Sequence, residues 1–130
     1  MRIWTTCLAL LLMSSVSGCG KPKLEVDSNF DLSEDYSKLF IVDAIKSEQK
    51  IQVTGTATGS PVNAFIFLEK NKTKAENEIA TRKFTPVILD KNEKVEAINL
   101  EATIPANEAA VVQVNRTGKA ASVHLKITNK

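Results

Sequence analysis

Apolar and polar residues alternate in short runs over most of this chain. Ile51-Gln52-Val53-Thr54-Gly55-Thr56-Ala57-Thr58 alternates strictly, with Ile51, Val53, Gly55 and Ala57 on one parity. Successive side chains of a strand point to opposite faces, so this pattern predicts a strand with one buried face. Ile98, Leu100, Ala102 and Ile104 predict a second such face, and Ala110, Val112 and Val114 a third. Ala121, Val123, Leu125 and Ile127 predict a fourth, which turns Ser122, His124, Lys126, Thr128 and Lys130 outward. Ala64-Phe65-Ile66-Phe67-Leu68 is apolar on both parities, which suits a central strand covered on both sides. Leu39-Phe40-Ile41-Val42 is β-rich, and residues 84–89 read as an edge strand because Pro86 cannot donate to a ladder. Val95 and Ala97 break the parity of the strand that follows, which predicts a bulge near Ala97.

Polar and glycine- or proline-bearing stretches separate these runs at residues 46–50, Gly59-Ser60-Pro61, residues 90–94 and Pro105-Ala106-Asn107. Arg116-Thr117-Gly118-Lys119 reads as the turn of a final hairpin. Residues 69–83 are highly charged and short of aliphatics, which predicts an exposed loop with one helical turn near residues 75–80. Residues 24–35 are acidic and sparsely apolar, either a short edge strand or a loose arm. Ser33-Glu34-Asp35 is placed to cap a helical turn through residues 36–40. Six or seven strands with a turn roughly every 10 residues make the fold class all-β, a small antiparallel β-sandwich. The segment Ile51-Gln52-Val53-Thr54-Gly55-Thr56-Ala57 resembles strands of bacterial immunoglobulin-like modules, and the resemblance implies an immunoglobulin-like sandwich. The cysteine pair and core tryptophan of antibody-type domains do not occur in residues 20–130.

The first eighteen residues follow another pattern. Met1-Arg2 gives a positive start, residues 3–13 are apolar apart from Thr5 and Thr6, and small residues lead to Gly18. Charge, apolar core and small-residue exit are the layout of a secretory signal peptide. The apolar run is about half the roughly 20 residues that a membrane-spanning helix needs. Val16-Ser17-Gly18-Cys19 resembles the lipobox of bacterial lipoproteins. That resemblance implies lipid on the Cys19 sulfur, cleavage before Cys19 and a chain held on a membrane by its acyl groups. In Gram-negative lipoproteins an aspartate after the cysteine favours the inner membrane. Gly20 therefore implies the outer membrane if the source is Gram-negative. The expected organisation is a signal peptide at 1–18, a lipidated cysteine, tether and acidic segment at 19–38, and a β-sandwich domain at 39–130.

Removing residues 1–18 leaves 112 residues, enough for one domain with a core. Cys7 and Trp4 leave with them, so the remaining cysteine is Cys19 and no internal disulfide is expected. Arg2 is the only charge removed, which leaves 16 basic and 15 acidic side chains. That near-balance argues against a nucleic-acid partner. The charge is unevenly spread, however. Glu25, Asp27, Asp31, Glu34 and Asp35 cluster early, whereas only basic residues follow Glu108.

Candidate chemistry is sparse. His124 is the only histidine, and a catalytic triad needs histidine, acid and nucleophile converging in space. No GxSxG, HExxH or phosphate-binding glycine loop occurs. Asp27, Asp31 and Asp35 recur every fourth residue without the glycine and terminal glutamate of a calcium-binding EF-hand loop. No catalytic residue, metal site or cofactor is therefore expected, apart from the covalent lipid. Asn71-Lys72-Thr73 and Asn115-Arg116-Thr117 match the glycosylation pattern and are read as chance matches. Phe65 and Phe67 belong either to the core or to a face that docks a partner. Arg116, Lys119, His124 and Lys126 form a candidate basic ridge for an acidic envelope partner. The alternative is a solvated face, or one paired with the acidic segment 25–35. The leading functional class is a lipid-anchored, non-enzymatic protein-binding or assembly module of the cell envelope. A small hydrolase or glycan-processing enzyme competes with it, as does an exclusion, immunity or inhibitor lipoprotein.

Overall fold

A computed structural model describes residues 23–129. The leader, Cys19, Gly20 and Lys130 lie outside the described residues. Eight strands form, β1 (Glu25–Leu32), β2 (Ser37–Val42), β3 (Gln49–Thr58), β4 (Val62–Leu68), β5 (Ile88–Val95), β6 (Ala97–Ile104), β7 (Ala110–Arg116) and β8 (Ala121–Asn129). Helix α1 (Lys72–Thr81) is inserted between β4 and β5. The strands pair antiparallel into two four-stranded sheets, β1-β8-β3-β6 (sheet A) and β2-β7-β4-β5 (sheet B). The chain is an all-β sandwich, with the two-sheet architecture that immunoglobulin-like domains share. Its strands are threaded in the order of an eight-stranded jelly roll. Consecutive strands lie in opposite sheets at every step except β4 to β5.

The parity patterns fill the space between the sheets. Ile51, Val53, Ile98, Leu100, Leu125 and Ile127 come from sheet A, and Val42, Val62, Ile66, Val112 and Val114 from sheet B. Thr54, Glu101 and Lys126 stand outside this core, as their parity requires. At one side of the sandwich Phe30 of β1 and Phe40 of β2 close the core, with ring centroids 5.6 Å apart. β4 lies between β7 and β5 and is buried along its whole length. Its second apolar parity makes a separate cluster on the outer face of sheet B. There Phe65, Phe67 and Val111 meet Ala75 and Ile79 of α1, together with Phe84, Val87 and Ile88.

Several local expectations are corrected. Residues 69–83 form a 3₁₀ turn and the ten-residue helix α1, not a loop with a single helical turn. Ala75 and Ile79, four apart, face the sheet, and so little apolar surface is enough because the phenylalanines of β4 supply the rest. Residues 84–87 are irregular and the edge strand is 88–95, so the polar stretch 90–94 is strand and not turn. It pairs with β4 through its backbone, and the register shifts lie in that pair. The β3–β6 ladder runs unbroken from Gln49↔Ile104 to Thr56↔Ala97, so there is no bulge near Ala97. Residues 116–119 connect two sheets and are not a hairpin turn. Residues 37–40 are strand β2 and not a helical turn. Of the two alternatives for the acidic segment the edge strand holds, as β1, so the sandwich also includes residues 25–38, which the expected organisation set apart from it. Among the described residues no helix is long and apolar enough to cross a membrane.

Candidate functional site

The expected basic ridge is divided between the two sheets. His124 and Lys126 lie on β8, beside β1, in the registers Asn29↔His124 and Asp27↔Lys126. His124 Nε2 lies 2.6 Å from Asp27 Oδ1, and Ser122 Oγ donates to Asp31 Oδ1 at 2.8 Å. Arg116 ends β7 in sheet B, and its guanidinium donates to the carbonyl of Ser33 at 2.8 Å. Lys119 is exposed in the crossing from β7 to β8. Lys119 and Lys126 make no ion pair among the described residues. The acidic and basic ends of the chain thus meet as neighbouring strands, and two of the four ridge residues hold the first segment in place.

This outer face of sheet A also carries a shallow depression of about 330 Å³, lined by Asn29, Asp31, Thr56, Thr58, Ser122 and His124. It contains a serine, a histidine and one acid, Asp31, but not in relay. A serine nucleophile needs its proton taken by the histidine, whereas Ser122 donates to Asp31 and His124 is turned to Asp27. Among the described residues no group of three or more His, Cys, Asp or Glu is placed to hold a metal ion.

A second feature lies on the outer face of sheet B. Beyond the phenylalanine cluster the same face continues as Asn63 of β4 and Gln113 and Asn115 of β7, in the registers Phe65↔Gln113 and Asn63↔Asn115. All three amides are buried. Glu76, Ile79, Ala80 and Arg82 stand on one side of them and Tyr36 on the other, around a cleft of about 400 Å³. Asn63 Oδ1 accepts from the backbone N–H of Lys94 at 2.7 Å, and Gln113 Nε2 donates to Asn115 Oδ1 at 3.0 Å. Gln113 is 7% exposed, and its Oε1 has no hydrogen-bond partner among the described residues. A buried amide oxygen left unpaired costs about 1–3 kcal/mol, and such a group in a folded protein calls for a reason. Asn115 is 3% exposed, so the glycosylation match there is inaccessible in the fold.

Two carboxylates fix the cleft wall. Glu78 faces the sheet from α1 and accepts from the hydroxyl and the backbone N–H of Thr85, at 2.6 and 2.9 Å. These bonds hold its carboxyl below the ordinary value. Glu93 of β5 pairs with Lys91 and Arg82, and its carboxyl is lowered first by the bond from Lys91. Arg82 ends α1 in the left-handed region, at φ 58°, and so turns out of the helix toward β5.

The sequence pattern did not find this cleft. Gln113 and Asn115 occupy the outward parity of β7 and read as ordinary surface. Asn63 looks like a polar start to an apolar strand. The signal was the matched decline from Phe67 and Phe65 to Asn63 on one strand and from Val111 to Gln113 and Asn115 on another. It becomes visible only when β4 and β7 are known to be neighbours.

No family model and no curated protein sequence matches the chain. Among solved structures, the chain is similar to the pre-peptidase C-terminal domain of a collagenase from Bacillus anthracis. The TM-score is 0.57 at 8% identity, over 80% of this chain and 89% of that one. PliG from Aeromonas hydrophila, a periplasmic inhibitor of g-type lysozyme, gives a TM-score of 0.47 at 12% identity, over 83% of this chain and 86% of that one. At such identities the collagenase-domain match establishes a shared β-sandwich fold and nothing finer.

Proposed function

We propose that this chain is a lipid-anchored protein of the bacterial envelope whose sandwich binds a protein partner without catalysing a reaction. The anchor rests on the leader and on Val16-Ser17-Gly18-Cys19, and Gly20 favours the outer membrane in a Gram-negative source. The observation that carries the binding reading is the unequal finish of the two sides of the sandwich. On one side Asp90 Oδ2 and Asn92 Oδ1 of β5 accept from the outward N–H groups of Glu101 and Asn99 on β6, at 2.9 and 2.8 Å. That edge is sealed. On the other side β1 and β2 have no strand beyond them among the described residues. β1 is guarded by alternate acids, a common protection of an edge. β2 carries one charge, Lys38, and presents Ile41 at 49% exposure. An open, weakly charged edge with apolar side chains supports partner binding by strand addition. Lys119 and Lys126 are the ridge positions left to meet an acidic surface. An inhibitor role is a narrower form of this reading.

Two measurements test it. Cys19→Ala should abolish labelling by a palmitate analogue, and an unchanged labelled band would refute the anchor. A photo-crosslinking residue at position 41 of the full chain in intact envelopes should trap one discrete partner. The same group at Thr103, on the sealed side, should trap none. Equal products at both sites, or none at position 41, would refute the binding edge.

A further inference from the structure

We propose that the cleft between α1 and sheet B binds an uncharged saccharide unit. Its floor is Asn63, Gln113 and Asn115, side chains that each carry a donor and an acceptor, as a sugar hydroxyl does. Asn63 uses its oxygen on Lys94 and keeps its amide nitrogen. Gln113 uses its nitrogen on Asn115 and keeps its oxygen. Reversing both amides would still leave one polar atom of Gln113 without a partner, so the shortfall belongs to the site and not to the assignment of its atoms. Leucines at both 113 and 115 would fill these positions without an unpaired group. The amide is therefore explained by something that bonds to it.

The walls select among ligands. Glu76 and Arg82 bring one negative and one positive charge, so the cleft has no net charge with which to draw a strong anion or cation. Tyr36 stands exposed at the rim, and an exposed ring beside polar groups offers a stacking face for the C–H side of a pyranose. The volume of about 400 Å³ falls within the range of about 300–1,000 Å³ usual for small-molecule sites. A peptide would bring amides too, but the apolar wall is only Ile79 and Ala80, which gives a side chain little to fill. This inference is independent of the lipid anchor and of the open edge at β2.

Tyr36 is the only tyrosine in the chain, so ring-labelled tyrosine in the full chain, kept in detergent micelles, reports on the rim through one set of NMR signals. Titration with chitobiose and with maltose should move those signals saturably for at least one of the two, while triglycine leaves them in place. Calorimetry with the same disaccharide should show about a fivefold loss of affinity in Gln113→Leu, the equivalent of one hydrogen bond, and loss of binding in Tyr36→Ala. The melting midpoint of Gln113→Leu should stay about level, because the unpaired Gln113 oxygen is exchanged for an unpaired oxygen on Asn115, its former partner. Ring signals unmoved by both disaccharides at millimolar concentration, or moved by triglycine, would overturn the proposal. So would a folded Gln113→Leu that binds like the parent.

Discussion

Replacing Gly55 by alanine sets two physical effects against each other. Alanine for glycine ordinarily stabilises by about 0.4–1 kcal/mol, because the unfolded chain has fewer states to lose. At Gly55 the structure requires the opposite sign. An added Cβ would stand 2.4 Å from the carbonyl oxygen of His124 and 3.2 Å from Leu125 Cδ1. The oxygen belongs to β8, a strand held between β1 and β3, and it cannot swing away as a side-chain tip would. β3 and β8 must separate by several tenths of an ångström at the middle of their ladder, where Thr54↔Lys126, Gly55↔Leu125 and Thr56↔His124 pair. Overpacking of this kind costs about 1–3 kcal/mol, more than the entropic gain, so Gly55→Ala should destabilise by about 1–2 kcal/mol. Urea unfolding should show a lower midpoint with an unchanged slope. Gly55→Ala combined with Leu125→Ala separates the two contacts. Because the tighter clash is with backbone, Gly55→Ala should cost about as much in the Leu125→Ala background as in the parent. A Gly55→Ala variant as stable as the parent would refute the close approach, and a Gly55→Ala change that costs nothing in the Leu125→Ala background would place the clash in the side chain.

Two further outcomes follow from the described contacts. Leu125→Ala should cost about 2–5 kcal/mol, whereas Lys126→Ala, one residue on and facing solvent, should change stability by no more than about 0.5 kcal/mol; equal losses in denaturant melts would overturn the facing of β8. Glu78 has a lowered folded-state pKa, so its bonds to Thr85 stabilise fully above the ordinary glutamate pKa of about 4.3 and are lost as pH falls through the lower folded value. Glu78→Gln should therefore lose less stability than the parent on passing from neutral to strongly acid pH, and equal losses in urea melts at the two pH values would count against the staple.

What was legible in the sequence was what depends on parity. Ile51, Val53, Leu100, Val112 and Leu125 point inward because a strand with one wet face must alternate, and each is buried. What was not legible depends on which strands become neighbours. Arg116-Thr117-Gly118-Lys119 has hairpin chemistry, yet its flanking strands enter different sheets. The acids of β1 left an edge strand and a loose arm equally open because their partners, Ser122 and His124, lie more than ninety residues away. Helix α1 was underestimated because its burial depends on Phe65 and Phe67, whose second covered face was visible but whose cover was not. Asp90 and Asn92 looked like turn residues because nothing local shows that their oxygens cap the edge of β6.

The cleft has a geometric origin in the length of α1. Ten helical residues span about 15 Å, whereas the seven residues of β4 extend about 23 Å. One short helix therefore cannot roof the whole outer face of sheet B, and one end of β4 and β7 must lie beyond its cover. The side chains follow this boundary. Phe65, Phe67 and Val111 lie under the helix, and Asn63, Gln113 and Asn115 lie where it stops. A face left only to water is free to carry charge, as the outer face of sheet A does with Asp27, Asp31, His124 and Lys126. At the end of α1 the chain instead carries short, neutral amides, and sinks them below a rim made by Tyr36, Glu76 and Arg82. Burying three amides there, one with an unpaired oxygen, is less stable than either a dry extension of the cluster or a solvated surface. The arrangement is therefore better explained by the ligand chemistry it offers than by the stability of the sandwich.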